Sequence, residues 1–371
     1  MRAWAEVSLD AIRANVGALR ELVAPAEVCA VVKADGYGHG AVPVAQAALE
    51  GGATWLAVAQ VAEAGSLRQF GIEAPILLLS EPQPSQIDEA LDADVAITVC
   101  SAGLLALLSK AVIERGASDW PVHLKVDTGM RRIGVAPQDA VALAKTIDAD
   151  PAVGLAAVWT HCAVADEPDN PFTALQLERY EAVLADLAAA GIDVPIRHVA
   201  NSAAAILQPT SRYDLVRCGI AIYGIPPAPA LQHAVALQPA VNLATEVSFL
   251  KSVPAGEGIS YGLRHHVERD TTIATLPIGY ADGVPRRLGL QKQEVLIGGR
   301  RYPMVGAVTM DQLMVDVGPD ADVSVGDEAV LLGDQGNERI TPDEWATQLD
   351  TIAYEVVCAI GARVERRYAS S

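Results

Sequence analysis

Val28-Cys29-Ala30-Val31-Val32-Lys33 is an apolar run that ends in a lysine, and Ala34-Asp35-Gly36-Tyr37-Gly38-His39-Gly40 follows it as a glycine-rich turn. A short apolar run bounded by turn signals reads as a strand. A lysine at the buried end of such a strand is costly to keep charged, so its pKa is expected to fall and its amine to become nucleophilic. A Schiff-base lysine needs that property. The glycines let the backbone turn sharply and approach a ligand closely, and Tyr37 is placed to offer its hydroxyl to an anion. The other reading is a surface lysine that snorkels before an ordinary strand-to-helix loop.

The same unit recurs downstream. From Glu27 to Gly224 a short apolar run, a loop and an alanine- and leucine-rich amphipathic stretch follow one another repeatedly. The runs are Val28–Lys33, Trp55–Gln60, Pro75–Ser80, Val95–Ser101, Val122–Asp127, Gly154–His161, Ile196–Asn201 and Leu215–Ile222. Helix-like stretches separate them: Val61–Phe70, Pro84–Leu91, Ala102–Arg115, Pro137–Ile147 and Pro171–Ala190, with Ser8–Leu22 ahead of the first run. Strands alternating with helices imply a parallel sheet, and eight such units imply a closed (β/α)8, TIM-like barrel. An open doubly wound sheet is the alternative, but no G-x-G-x-x-G phosphate loop follows the first strand.

After Gly224 the texture changes. Ile225-Pro226-Pro227-Ala228-Pro229 reads as a domain exit. Beyond it come β-rich runs at Glu246–Val253, Thr271–Pro277, Glu294–Ile297, Leu313–Val317, Glu328–Leu332 and Tyr354–Ile360, and Pro342–Leu349 alone looks helical. The expected organisation is therefore a barrel over 1–235 and a mainly β domain over 236–371.

The 371 residues are 51% hydrophobic and 20% charged, which fits a globular chain with a large core. A net charge of −19 offers no basic surplus for nucleic acid. Five cysteines, Cys29, Cys100, Cys162, Cys218 and Cys358, have no paired spacing and read as reduced core residues of a cytoplasmic protein. The N-terminus lacks the apolar core of a signal peptide, and no segment is apolar and long enough to span a membrane.

In such a barrel reactive groups gather at the carboxyl ends of the strands. Lys33 and Tyr37 stand at or after the first run, and Lys125, Asp127 and Arg132 at or after the fifth. His161 ends the sixth, Asn201 and Ser202 close the seventh, and Arg217 with Gly219 lies in the eighth. A lone His or Arg in a core strand is more often a satisfied structural group, but polar residues at one end of five strands weigh against that. Ser202 and the Gly219 and Ile220 amides fall where such barrels hold a phosphate. A lysine beside a phosphate site points to pyridoxal phosphate, its aldehyde held by the lysine as an imine. No metal site is expected.

These residues also carry a resemblance. Val32–Gly40 resembles the cofactor-lysine signature of the pyridoxal-phosphate-dependent alanine racemases. Leu124–Met130, Ala200–Ala203, Arg217–Gly224, Ser260-Tyr261-Gly262, Ile278–Gly283, Met310-Asp311-Gln312 and Tyr354-Glu355-Val356 resemble further segments of that family, in order. The resemblance spans essentially the whole chain. It implies a barrel plus a β domain, and a homodimer whose active sites are completed across the interface.

It also implies roles. Lys33 binds pyridoxal 5'-phosphate and serves as one acid/base, and Tyr261 of the other subunit serves the opposite face. A tyrosine with a pKa near 10 is a poor base at neutral pH, so His161 and Arg217 are expected to lower it. Arg217 faces the pyridine nitrogen as a donor only, which leaves that nitrogen unprotonated. Tyr37, Ser202, Gly219, Ile220 and Tyr354 hold the phosphate, with Asn201 beside them. Arg132 reaches the cofactor's phenolic oxygen and the substrate carboxylate, helped by the Met310 amide from the other subunit, and Tyr261, Tyr280, Met310 and Tyr354 crowd the side chain. Lys125 matches a lysine that carries a carbamate in many members, and the alternative there is a Lys125–Asp127 ion pair.

Two departures stand out. Arg131 adjoins Arg132, so the choice of Arg132 rests on register. Ala307 replaces an arginine of the substrate entrance, near an aspartate matching Asp166, which implies a rearranged entrance with Arg286 in that contact. The activity implied is interconversion of L- and D-alanine for cell-wall synthesis. A broader racemase for serine or basic amino acids is the alternative. Arg217 speaks against a related decarboxylase, and the second domain speaks against a one-barrel cofactor carrier.

Overall fold

A computed structural model describes residues 3–320 and 322–369. The first strand, β1 (Ala3–Ser8), precedes eight parallel strands: β2 (Glu27–Val31), β3 (Trp55–Val58), β4 (Ile76–Leu78), β5 (Ala96–Val99), β6 (Trp120–Lys125), β7 (Val153–Trp159), β8 (Ile196–His198) and β9 (Leu215–Cys218). Those eight form one sheet in the order β8-β7-β6-β5-β4-β3-β2-β9. The seam between β8 and β9 is joined by Asp214 N–H to the Arg197 carbonyl at 3.1 Å and by Arg217 N–H to the Ala200 carbonyl at 2.9 Å. The sheet is therefore a nearly closed (β/α)8 barrel. Its strands are mostly apolar because helices cover the outside and side chains fill the inside.

The helices follow their local signals. Ser101 caps Ala102–Glu114, its Oγ accepting from Leu104 N–H at 3.2 Å. Phe172–Ala189 begins after Pro171 and buries Thr173, Gln176, Tyr180, Val183 and Leu187, a helical stripe. No described helix is long and apolar enough to cross a membrane.

The chain divides into two units. One comprises Ala11–Gly36 and Ala41–Gln238, and holds the barrel. The other comprises Met1–Asp10, Tyr37–Gly40 and Pro239–Ser371. This differs from a single break between 235 and 236. The reason is pairing: β1 runs antiparallel to β10 (Val241–Glu246) and parallel to β20 (Glu365–Ala369). A six-residue strand carries no sign of which sheet it will join.

The second unit is mainly β. Its further strands are β11 (Phe249–Val253), β12 (Gly258–Ile259), β13 (His265–His266), β14 (Thr271–Leu276), β15 (Glu294–Ile297), β16 (Arg300–Pro303), β17 (Leu313–Gly318), β18 (Glu328–Gln335) and β19 (Glu338–Ile340). One sheet runs β16-β15-β18-β10-β1-β20, with β19 on β18, and a second runs β11-β14-β17. Val253, Ile259, Val267, Ile273 and Val305 form a core cluster there. Tyr354–Ile360, expected as a β run, is instead mostly the helix Ala353–Cys358. Its buried residues, Ala353, Val356 and Val357, have helical rather than alternating spacing, which a short apolar run hides. The cysteines depart from a uniform core as well: Cys29, Cys162 and Cys218 are buried, Cys100 is half-buried and Cys358 is exposed.

Candidate active site

Lys33 stands two residues beyond the end of β2 and is half-buried. The chain then makes a left-handed turn, with φ/ψ of 53/50 at Ala34, 50/49 at Asp35 and 60/45 at Gly36, and φ 52 at Tyr37. Left-handed geometry costs a residue with a Cβ roughly 1–2 kcal/mol, so outside contacts must support the turn. Ala34 N–H donates to Glu63 Oε1 at 2.6 Å, and Ala41 N–H to Asp35 Oδ1 at 2.9 Å. Glu63 also accepts from the Ala59 and Gln60 amides at 2.9 and 3.0 Å. One carboxylate thus ties the peptide after the lysine to the start of the helix Val61–Gln69 that follows β3.

The barrel interior is more polar than its apolar runs suggest. Lys125, Trp159 and His198 stand side by side in register on β6, β7 and β8. His123 lies two residues before Lys125 and so shares its face. His123 Nδ1 is 3.1 Å from His198 Nε2 although β7 lies between their strands, a contact made across the barrel interior. The Trp159 ring stacks on His198 at 5.4 Å and 8°, and Lys125 Nζ sits 4.0 Å from the Trp159 centroid.

Arg217 reaches into the same space from β9. Its Nη1 donates to His198 Nδ1 at 2.8 Å. Its Nη2 donates its two protons to the Thr160 and Val199 carbonyls, both at 2.8 Å, and lies 3.2 Å from His161 Nδ1. Every one of these acceptors is neutral, and burial pulls the guanidinium down to about 10.

Charge in this region is one-sided. His161 is held well below its ordinary pKa by burial and then by Arg217, Arg132, Lys125 and Lys33. Lys125 is lowered to about 7 by burial, Arg217 and Arg132. The alternative Lys125–Asp127 pair is not formed: the Asp127 carboxylate accepts from Gly129 and Arg131 N–H at 2.9 and 3.0 Å and lies 3.7 Å from the Arg131 guanidinium. Of the two adjoining arginines, Arg131 is thus engaged with Asp127, and Arg132 acts electrostatically on His161 and Lys125.

A second cradle lies after β8 and β9. Asn201 Oδ1 caps the helix Ser202–Leu207 by accepting from Ala204 N–H at 3.0 Å. Ser202 Oγ accepts from Gly219 N–H at 2.9 Å, so the Gly219 amide already has a partner and the Ser202 proton is left to donate outward. Ile220 opens the short helix that follows Gly219.

The loops after β6 and β7 share one fastener. Gln176, fully buried, accepts from Ala163 N–H at 2.8 Å and donates to the His161 carbonyl at 3.0 Å and to Thr128 Oγ1 at 3.2 Å. Thr128 and Thr160 hydroxyls meet at 2.8 Å, and Arg179 donates to the Thr128 carbonyl at 2.7 Å. Glu63, His123, Trp159, Gln176 and His198 were not singled out by sequence. The only signal was alternation, which puts His123 on the inward face with Lys125.

The remaining residues lie in the β unit. The Tyr37 and Tyr354 rings are 6.3 Å apart, and burial pushes the Tyr37 hydroxyl pKa up. Tyr280 N–H donates to the Thr309 carbonyl at 3.0 Å and Ala281 N–H to the Met310 carbonyl at 3.1 Å, which brings Tyr280 and Met310 together. A Cβ on Gly279 would come within 2.4 Å of the Met310 carbonyl oxygen, so only glycine fits that crossing. Tyr261, Met310 and Tyr280 are 72%, 52% and 44% exposed. Ala307 is fully buried, its carbonyl accepting from Ser260 Oγ at 2.7 Å, and Arg286 is exposed. Among the described residues no group of three His, Cys, Asp or Glu side chains gathers as a metal centre would need.

Comparison with known proteins places this arrangement. The family model "Alanine racemase, N-terminal domain" matches residues 7–227, and "Alanine racemase, C-terminal domain" matches 240–368. The alanine racemase of Symbiobacterium thermophilum is 51% identical over 366 residues, covering 98% of this chain and 96% of its own. That of Thermobifida fusca is 45% identical, covering 99% and 98%. Among solved structures, the alanine racemase of the D-cycloserine producer Streptomyces lavendulae superposes with a TM-score of 0.94 at 40% identity, covering 100% of this chain and 98% of that one. The Bacillus anthracis alanine racemase with bound L-Ala-P gives 0.92 at 40% identity, covering 100% and 96%. The chain belongs to the alanine racemase family.

Proposed function

We propose that this protein interconverts L- and D-alanine with pyridoxal 5'-phosphate, as a cytoplasmic homodimer, and supplies D-alanine for peptidoglycan. The observation that carries the reading is the cationic mouth of the barrel. Lys33, Lys125, Arg132 and Arg217 act on His161, while Asp127 is turned to Arg131. Such a set suits a ligand pair bearing a phosphate and a carboxylate. Bound pyridoxal phosphate supplies an electron sink that makes the substrate α-C–H acidic.

The chain's own residues then have distinct tasks. Lys33 anchors the cofactor and moves a proton on one face of the α-carbon. Tyr261, exposed here, serves the other face from a second copy of the chain. His161 Nδ1 is occupied by Arg217, so its Nε2–H is the donor available to hold the Tyr261 oxygen as phenolate. Arg217 offers only donors toward the pyridine nitrogen. The Ser202 hydroxyl and the Ile220 amide, with Tyr37 and Tyr354, bind the phosphate, while Gly219 orients Ser202 and Asn201 caps the helix that carries it. Arg132 and the Met310 amide bind the substrate carboxylate, and Tyr280 with Met310 limits side-chain size. That crowding favours alanine over serine or basic amino acids.

A racemisation assay over a panel of amino acids tests the reading. Wild type should act on alanine far faster than on serine, lysine or arginine, and Lys33→Ala should be inactive. Tyr261→Phe should lose more in one direction of proton abstraction than in exchange on the Lys33 face. Retained activity in Lys33→Ala would overturn the scheme.

A further inference from the structure

Arg217 is buried in the barrel, and its hydrogen bonds have a direction. An arginine N–H can only donate, so His198 Nδ1, 2.8 Å from Nη1, must present a lone pair. The His198 proton is then on Nε2. That atom is 3.1 Å from His123 Nδ1, so it donates, and the His123 proton is in turn on Nε2. Both rings are fully buried. Trp159 stacks on His198, and Trp55 lies 5.4 Å from His123.

We propose that His198 and His123 are positioning residues for the racemisation, a one-way donor chain from Arg217 through His198 to His123 that fixes the guanidinium without cancelling its charge. The role rests on the racemase reading above. A carboxylate at 198 would also accept from Arg217, but it would neutralise the charge presented to the cofactor. A neutral imidazole holds the group and leaves the charge whole. His123 is needed because an unanchored His198 could turn over and set its N–H against the Arg217 N–H. With Nε2–H accepted by His123, only one orientation satisfies both ends. The groups facing the pair, Arg217, Lys125 and each other, all oppose an imidazolium, and burial adds to them.

The test has two parts, both on the full chain. Nitrogen-15 NMR of histidine-labelled protein, with and without pyridoxal phosphate, reads the tautomers, assigned by loss of signal in His198→Asn and His123→Gln. Both rings should be neutral with Nε2–H from about pH 5.5 to 8.5. An imidazolium or an Nδ1–H on either ring overturns the proposal. Kinetics then separate positioning from mere support. His198→Leu should lower kcat about tenfold or more, with KM for alanine within about twofold. His198→Asn, which keeps an oxygen near the Nδ1 position, should recover most of that loss. Equal kcat losses in the two variants, or none in either, overturn the role. A wild-type chain without racemase activity overturns the proposed function and this role with it, whereas an active chain with other tautomers overturns this role alone.

Discussion

The Arg217 guanidinium faces His161 Nδ1 at 3.2 Å and cannot accept from it, which puts the single proton of that neutral imidazole on Nε2. His161 therefore shares with His123 and His198 a neutral state, set first by burial and reinforced in all three by Arg217. Burial first, and Arg217 second, hold His123 down to about 3 and the other two well below their ordinary value.

The consequence is a stability that depends on pH. Below about pH 6.5 the unfolded chain binds a proton on each of these histidines and the folded chain does not. Their contribution is fully present above that pH and is lost as pH falls, at up to about 1.4 kcal/mol per pH unit for each ring. Urea midpoints measured from pH 7 down to 5 should fall steeply, and His123→Leu should flatten the slope. An unchanged slope in that variant would show that His123 takes up a proton in the folded state.

Lys125 offers a second pH-linked outcome. Its amine, lowered to about 7, is half neutral near pH 7, and Arg217 and Arg132 face it. A neutral amine adds CO2 to give a carbamate anion and release one proton, and the two arginines favour the anion. Carbon-13 bicarbonate should yield a carbamate signal that grows as pH rises through about 7 and is absent in Lys125→Arg. An unmodified amine on Lys125 in fully active enzyme would sink the idea.

Much of this was legible in sequence, and what was not has a common cause. The strand-to-helix rhythm reveals a barrel because each run is local and bounded by its own turns. Lys33, His161, Ser202 and Arg217 show themselves as polar residues closing apolar strands. Glu63, Gln176, His123 and His198 do not, because their partners are set by tertiary contact: Glu63 reaches Ala34 at the end of the neighbouring strand, and Gln176 reaches two loops from a helix. Their own neighbourhoods look like ordinary helix and strand. The Ala353–Cys358 helix was hidden for the same reason, since burial of one face decided its shape.

Glu63 is the support of the lysine turn. Glu63→Ala removes the acceptor of the Ala34, Ala59 and Gln60 amides. Loss of a helix cap costs about 1 kcal/mol, and the left-handed turn after Lys33 loses its tie as well. The variant should melt a few degrees lower and show a larger fall in kcat than in substrate affinity, with Glu63→Gln intermediate. Unchanged kcat in Glu63→Ala would mean that the turn holds itself.

Gln176 gives the sharpest sign. Replacing it by leucine leaves the half-buried Ala163 N–H without its acceptor and should cost about 1 kcal/mol. Gln176→Glu keeps that acceptor but sets a second oxygen against the His161 carbonyl, where the amide had donated. A proton on that oxygen restores the bond, so the buried carboxyl should titrate above the ordinary range. The folded state then binds more protons than the unfolded one, and stability falls as pH rises. Melting of Gln176→Glu should approach wild type near pH 5 and drop away by pH 8, relative to wild type at each pH. A constant gap across that range would show that the loop carrying His161 moves aside to accept the charge.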